Sequence, residues 1–171
     1  MTVYNRYRVR RLLREAEGFL ELKMPAQALE SLDRIGDPGT FRAQTLFLRG
    51  QALRAMKRFE DAVDALEQAA DLAPSNIAIW VGLGWCYKRA GQIGLAIEAL
   101  ESALEVAPDE GLLHYNLACY WSLAGRRRQA LKYLSRAIDI NEKYRDMIYD
   151  EPDFAAMKHD PEFLSLTSVI V

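Results

Sequence analysis

Shifting the chain against itself by 34 residues brings Ala28, Ala62, Ala96 and Ala130 into one column, with no insertion or deletion between them. The same shift joins Ala16, Gly50, Gly84 and Ala118, and another column holds Leu32, Leu66, Leu100 and Leu134. Bulky side chains recur in two more columns: Phe19, Leu53, Tyr87 and Trp121 in one, Leu12, Leu46, Trp80 and His114 in the other. A column that stays small lets two helices approach, and columns that stay large fill the space between them. The repeating unit is therefore a pair of helices. In the third unit the pattern predicts a first helix over 78–89, a turn at Ala90-Gly91-Gln92, and a second helix over 94–106 that stops before Pro108 and Asp109. Pro74 ends the unit before it, and Gly36-Asp37-Pro38-Gly39 makes a longer link between the first two.

This pattern resembles the tetratricopeptide repeat, whose signature is W-x2-L-G-x2-Y, then A-x3-F, then P. The third unit, 77–110, carries it through Trp80, Leu83, Gly84, Tyr87, Ala96, Ala103 and Pro108, with Leu100 in place of the phenylalanine. The second, 43–76, keeps Leu46, Gly50, Leu53, Ala62, Leu66, Ala69 and Pro74, but Arg49 stands where the leucine falls. The fourth, 111–142, keeps Leu117, Ala118, Trp121, Ala130, Leu134 and Ala137, with Glu142 at the proline position. The first, 9–42, is degenerate, with Ala16, Phe19, Ala28, Leu32 and Ile35 retained and Glu15 at the leucine position, as suits a terminal repeat with one unshielded face.

Residues 143–171 break the period. Glu151-Pro152 and Asp160-Pro161 each place an acidic residue before a proline, the pattern of a short helix start. Tyr149, Phe154, Met157, Phe163 and Leu166 would then form an apolar lid on the last repeat. The resemblance implies a single all-α domain, a right-handed α-α solenoid of about four helix hairpins closed by a C-terminal helical cap.

Chemistry is harder to find than architecture. The formal net charge is −2, so no global positive field draws the chain to nucleic acid or an anionic membrane. Arg126, Arg127, Arg128, Lys132 and Arg136 are expected to be solvated and to complement Glu98, Glu101, Glu105, Asp109 and Glu110 of the preceding unit. Arg6, Arg10 and Arg14 recur at helical spacing and read as a polar outer face. No run is apolar enough for a membrane span, and no secretory signal is recognised, which gives a cytoplasmic expectation. Cys86 and Cys119 lack CxxC spacing and read as buried structural thiols. His114 and His159 stand in no ligand motif, and Asp150, Glu151, Asp153, Asp160 and Glu162 read as helix starts. No catalytic, cofactor-binding or metal-binding residue is expected, and the chain is expected not to be an enzyme.

The resemblance places the first helix of each pair on the inner, concave face. By that carry-over Phe47, Gln51, Arg54, Val81, Trp85, Lys88, Arg89, Leu112, Tyr115 and Cys119 are the candidate protein-binding residues. Helical spacing groups them independently, since Phe47, Gln51 and Arg54 share one stripe, as do Val81, Trp85 and Lys88. Aromatic anchors often dominate recognition, so Trp85 and Tyr115 are the expected hot spots, against the alternative that they pack between repeats. One family subtype clamps a partner's terminal carboxylate. Asn116 falls at one such position here, but Val81 and Trp85 replace the lysine and asparagine, so that subtype is not expected. The expected function is a non-enzymatic module that binds a peptide or helical segment of a partner in the concave groove. A secretion or assembly chaperone, and a structural homo-oligomer, are the alternatives.

Overall fold

The computed structural model describes residues 3–168. All regular structure among them is helical, in two compact units, residues 1–90 and 91–171.

The first unit contains α1 (Val3–Glu21), α2 (Pro25–Asp33), a 3-10 turn (Gly39–Phe41), α3 (Arg42–Ala55), α4 (Phe59–Leu72) and α5 (Ile77–Arg89). In α1, Val9, Leu12, Leu13 and Ala16 follow the i, i+3, i+4, i+7 spacing of one helical face and are fully buried with Ala28, Leu32 and Ile35. Leu48 and Ala52 of α3 complete that core. The degenerate first repeat is thus a packed hairpin, and its first helix starts well before residue 9.

The small column has a measurable role at Gly50: a Cβ there would lie 2.5 Å from Cγ of Leu66, so only glycine lets α3 and α4 close to this distance. In α4, Ala62, Ala65, Leu66, Ala69 and Ala70 form the buried face. α5 starts at Asn76, whose side chain accepts from the amide of Ala78 at 3.1 Å. Trp80 donates its indole N–H to the carbonyl of Pro74 at 2.7 Å, and Tyr87 donates its hydroxyl to Glu67.

The second unit contains α6 (Ile93–Val106), α7 (Gly111–Leu123), α8 (Arg127–Ile140), α9 (Lys143–Met147), a 3-10 segment (Pro152–Met157) and α10 (Pro161–Thr167). Glu110 caps α7 by accepting from the Leu112 amide at 3.3 Å. His114 takes the role that Trp80 has one period earlier, with Nε2 2.8 Å from the carbonyl of Pro108. A carbonyl only accepts, so Nε2 carries the proton, and this histidine is a structural donor.

The period also appears in the backbone. Lys23, Lys57, Gly91 and Gly125 are spaced by 34 residues, and all four have positive φ, at 57°, 61°, 78° and 70°. Each follows the first helix of a pair. At Lys57 the amide donates to Arg54 and that of Arg58 donates to Leu53, the two bonds of a Schellman C-cap. Lys23 and Gly125 end their helices in the same way. The turn seen at Gly91 in the sequence is therefore a left-handed cap repeated four times, twice by lysine and twice by glycine.

The C-terminal segment packs as the predicted cap, with different members. Phe154, Met157 and Phe163 are buried as expected, but Tyr149 is 85% exposed and Leu166 only half-buried. Tyr144 and Ile148 are buried instead. Gly111 makes room for this, because a Cβ there would meet the Tyr144 ring at 2.7 Å. The basic stretch divides its pairing: Arg136 reaches Asp109 at 2.7 Å as anticipated, whereas Arg127 turns to Asp160 and Glu162 of the C-terminal segment.

Candidate protein-binding face

In the first unit α3 touches both α1 and α5, so the first helices of successive pairs lie beside one another. On α5, Trp85 is 38% exposed, and its indole meets the Phe59 ring edge-on at 5.6 Å between centroids. The Arg54 guanidinium from α3 lies 5.4 Å from the indole centroid, and that of Arg89 lies 5.7 Å from it and 5.6 Å from the Phe59 ring. Cation–π contacts of this exposed kind contribute about 0.5–1 kcal/mol each, enough to hold a side chain in place. Phe47, Gln51, Val81 and Lys88 are half-buried. Of the predicted residues, then, Arg54, Trp85 and Arg89 are brought together. Phe59 belongs with them and was missed, because it opens α4, a second helix of a pair, and only its contact with Trp85 reveals it.

Beneath this face Cys86 is fully buried and unbonded, and burial pushes its thiol up to about 11, with Arg54 opposing. It stays protonated at neutral pH and is no nucleophile.

The corresponding positions of α7 have a different fate. Leu112 is 41% exposed, but Tyr115 and Cys119, both expected on the open face, are 3% exposed. The chain's own C-terminal segment covers them. Tyr115 donates its hydroxyl to the carbonyl of Met147 at 3.2 Å, stacks on Tyr144 at 5.4 Å, and meets Phe154 edge-on at 6.0 Å. Ser122 donates to the carbonyl of Asp153 at 2.8 Å. The expectation that Tyr115 offers an anchor to a partner is corrected here: its ring is used internally, by residues that no repeat pattern connects to it. Burial, then the charges near Cys119, Glu151 and Asp153, pushes the Tyr115 hydroxyl far above the ordinary tyrosine range.

Ligand atoms of Cys119, Glu151 and Asp153 lie within 4.8 Å of one another. Glu151 already spends its carboxylate on the amide of Asp153 at 3.2 Å, as the cap of the 3-10 segment. One thiol and two carboxylates, one of them capping, is a folded C-terminal joint before it is a metal cage. At the other end of the chain Tyr7, Arg8, Arg11 and Arg14 line an open cleft of about 510 Å³.

Stacked helix pairs with a shared period define a class of helical-repeat scaffold, proteins that present side chains on a rigid surface. Residues 53–118 match the family model described as tetratricopeptide repeat. Among solved structures the chain is similar to MamA, at 26% identity over 81% of each chain with a TM-score of 0.74. It is also similar to residues 41 to the end of MamA from Desulfovibrio magneticus RS-1, at 18% identity over 93% of each chain and a TM-score of 0.73. A third is YrrB, described as a TPR protein with an unusual peptide-binding site, at 17% identity over 91% of this chain and 80% of that one, with a TM-score of 0.74. No curated protein sequence matches. Residues 53–118 thus carry the tetratricopeptide-repeat pattern, and the described chain has an all-α helical-repeat fold like that of the solved repeat proteins it resembles.

Proposed function

We propose that this protein is a non-enzymatic interaction module that binds a peptide or helical segment of a partner on the α3–α5 face. The observation that carries the reading is the 38% exposed indole of Trp85, with the guanidiniums of Arg54 and Arg89 both within 5.7 Å of its ring centroid. A pre-positioned aromatic with flanking arginines is the composition of an interface hot spot, and a surface already ordered before binding loses little entropy when a ligand arrives. Phe47, Gln51, Val81 and Lys88 extend the face. Tetratricopeptide folds serve generally as protein-binding scaffolds, and the absence of an identifiable nucleophile–base pair in the sequence agrees with a binding role. Cys86 and Cys119 are buried and in no disulfide, which suits a reducing, cytoplasmic setting.

Selection of a random-sequence peptide display library against the full chain tests this. Peptides should be recovered whose affinity falls about tenfold or more on Trp85→Ala, a loss of about 1.4 kcal/mol or more. Recovery of no binder, or of binders indifferent to Trp85→Ala and Phe47→Ala while the variants melt as the parent does, removes the reading.

A further inference from the structure

We infer that the Arg54–Trp85–Arg89 cluster is an acid-reading site, whose ligand is a polypeptide segment carrying Asp or Glu beside an aromatic residue. The inference rests on the interaction-module reading above and narrows it to one chemistry.

The first argument is electrostatic. Arg34, Arg49 and Arg58, in the same unit, each hold a carboxylate, of Glu15 at 2.9 Å, Asp33 at 2.6 Å and Asp61 at 2.7 Å. Arg54 and Arg89 hold none among the described residues, and both are turned onto rings instead. A guanidinium stacked on an aromatic face keeps its in-plane N–H groups for an acceptor at its edge, the fork that matches a carboxylate. Two like charges gathered around one indole repel, so an anion arriving between them gains from both and relieves that repulsion. The exposed ring of Trp85, with the half-buried ring of Phe59 beside it, favours an apolar or aromatic neighbour on the same ligand.

The second argument is a precedent within the chain. On α7, the face formed by Tyr115, Cys119 and Ser122 is one period after Val81, Trp85 and Lys88 of α5. There the chain lays down Asp150-Glu151-Pro152-Asp153-Phe154: Phe154 is fully buried against Tyr115, and Ser122 donates to the Asp153 carbonyl. A repeat face of this protein thus accepts a short acidic segment anchored by a phenylalanine. The α5 face differs in adding two arginines, which give the acid a direct partner.

The test uses the peptides recovered above and, as a defined probe, a capped hexapeptide copying residues 149–154, titrated into the full chain by calorimetry. Recovered peptides are expected to be enriched in Asp or Glu next to Phe, Tyr or Trp. Replacing their acids by Asn or Gln, or the protein's cations through the double variant Arg54→Gln/Arg89→Gln, should weaken binding about tenfold or more, with Arg54→Lys/Arg89→Lys recovering only part. The hexapeptide should show the same losses and weaken with added salt. If the recovered peptides need Trp85 but tolerate loss of the acids and of both arginines, the acid reading is overturned while the module reading stands. If the hexapeptide fails to bind and the selection shows no acidic enrichment, it is equally overturned. Competition by a short oligonucleotide as strong as that by the hexapeptide would replace it with a phosphate-binding site.

Discussion

The α5 face and the α7 face are built from equivalent positions of one 34-residue period, yet one carries an exposed indole and the other a buried tyrosine. On α5 the residue that follows Val81 by one helical turn is Trp85, which stays 38% exposed with Arg54 and Arg89 beside it. On α7 the matching residue is Cys119, small enough for Glu151 and Asp153 to approach, and Tyr115 and Ser122 supply a ring and a hydroxyl that fix the incoming segment. Of these two faces, the one with the small central side chain is the one that the non-repeating chain covers. The lesson extends to reading such proteins: the periodic positions say where a surface lies, and the aperiodic segment says whether it is vacant.

The largest effect that would break the comparison is expected at Phe154. It is fully buried among Tyr115, Phe163 and the rest of the cap, so Phe154→Ala should lower stability by about 3–5 kcal/mol. Trp85→Ala, at a site one-third exposed, should lose only about 1–2 kcal/mol. Urea unfolding followed by circular dichroism measures both, and equal losses would mean that the two faces are not differently packed.

The helix-ending caps sharpen the contrast at a smaller scale, because the first unit uses Lys57 where the second opens with Gly91. A lysine at φ 61° bears the strain of the left-handed region, partly offset by the freedom a glycine would regain on unfolding. Lys57→Gly is expected to raise stability by about 1 kcal/mol and Gly91→Ala to lower it by a similar amount. Thermal melts showing the same sign for both would contradict the assignment of strain to these turns.

The smallest expected effect concerns how the cap responds to pH. Asp160 accepts from Arg127 and from the amides of Glu162 and Phe163, and these bonds, that of Arg127 foremost, hold its carboxyl below the usual aspartate range. A native value below the unfolded one means the contribution is whole above about pH 4 and is lost as pH falls through the lower native value. Amide exchange in α10 should therefore quicken selectively on acidification below that point and change little between neutral and mildly alkaline pH. Equal protection of α10 across the acid range would show that the pairing with Arg127 does not secure it.

Much of this was legible from the residues. The alanine, leucine and small-residue columns locate the helix pairs, Gly91 marks a turn that proves left-handed, and the prolines mark where second helices stop. Spacing put Arg54 on one helical stripe and Trp85 on another, and the family resemblance placed the two stripes on one face. Phe59 was not legible as their neighbour, nor Tyr144 and Ile148 as cap residues, and Tyr149 was placed in a core it does not enter. Each of these depends on a contact across elements, for which a residue's type is silent.

What the sequence determined by itself is the local repeating frame: helix, turn, helix, with small side chains at the crossing points. These follow from interactions over a few residues and from a period that every unit repeats, so they need no knowledge of the rest of the chain. The tertiary structure alone decided which repeated face stays available. That outcome rests on residues 144–163 returning to Tyr115, Cys119 and Ser122, a packing between segments about thirty residues apart whose partners are chosen by shape and buried area, although the apolar residues of the lid were legible.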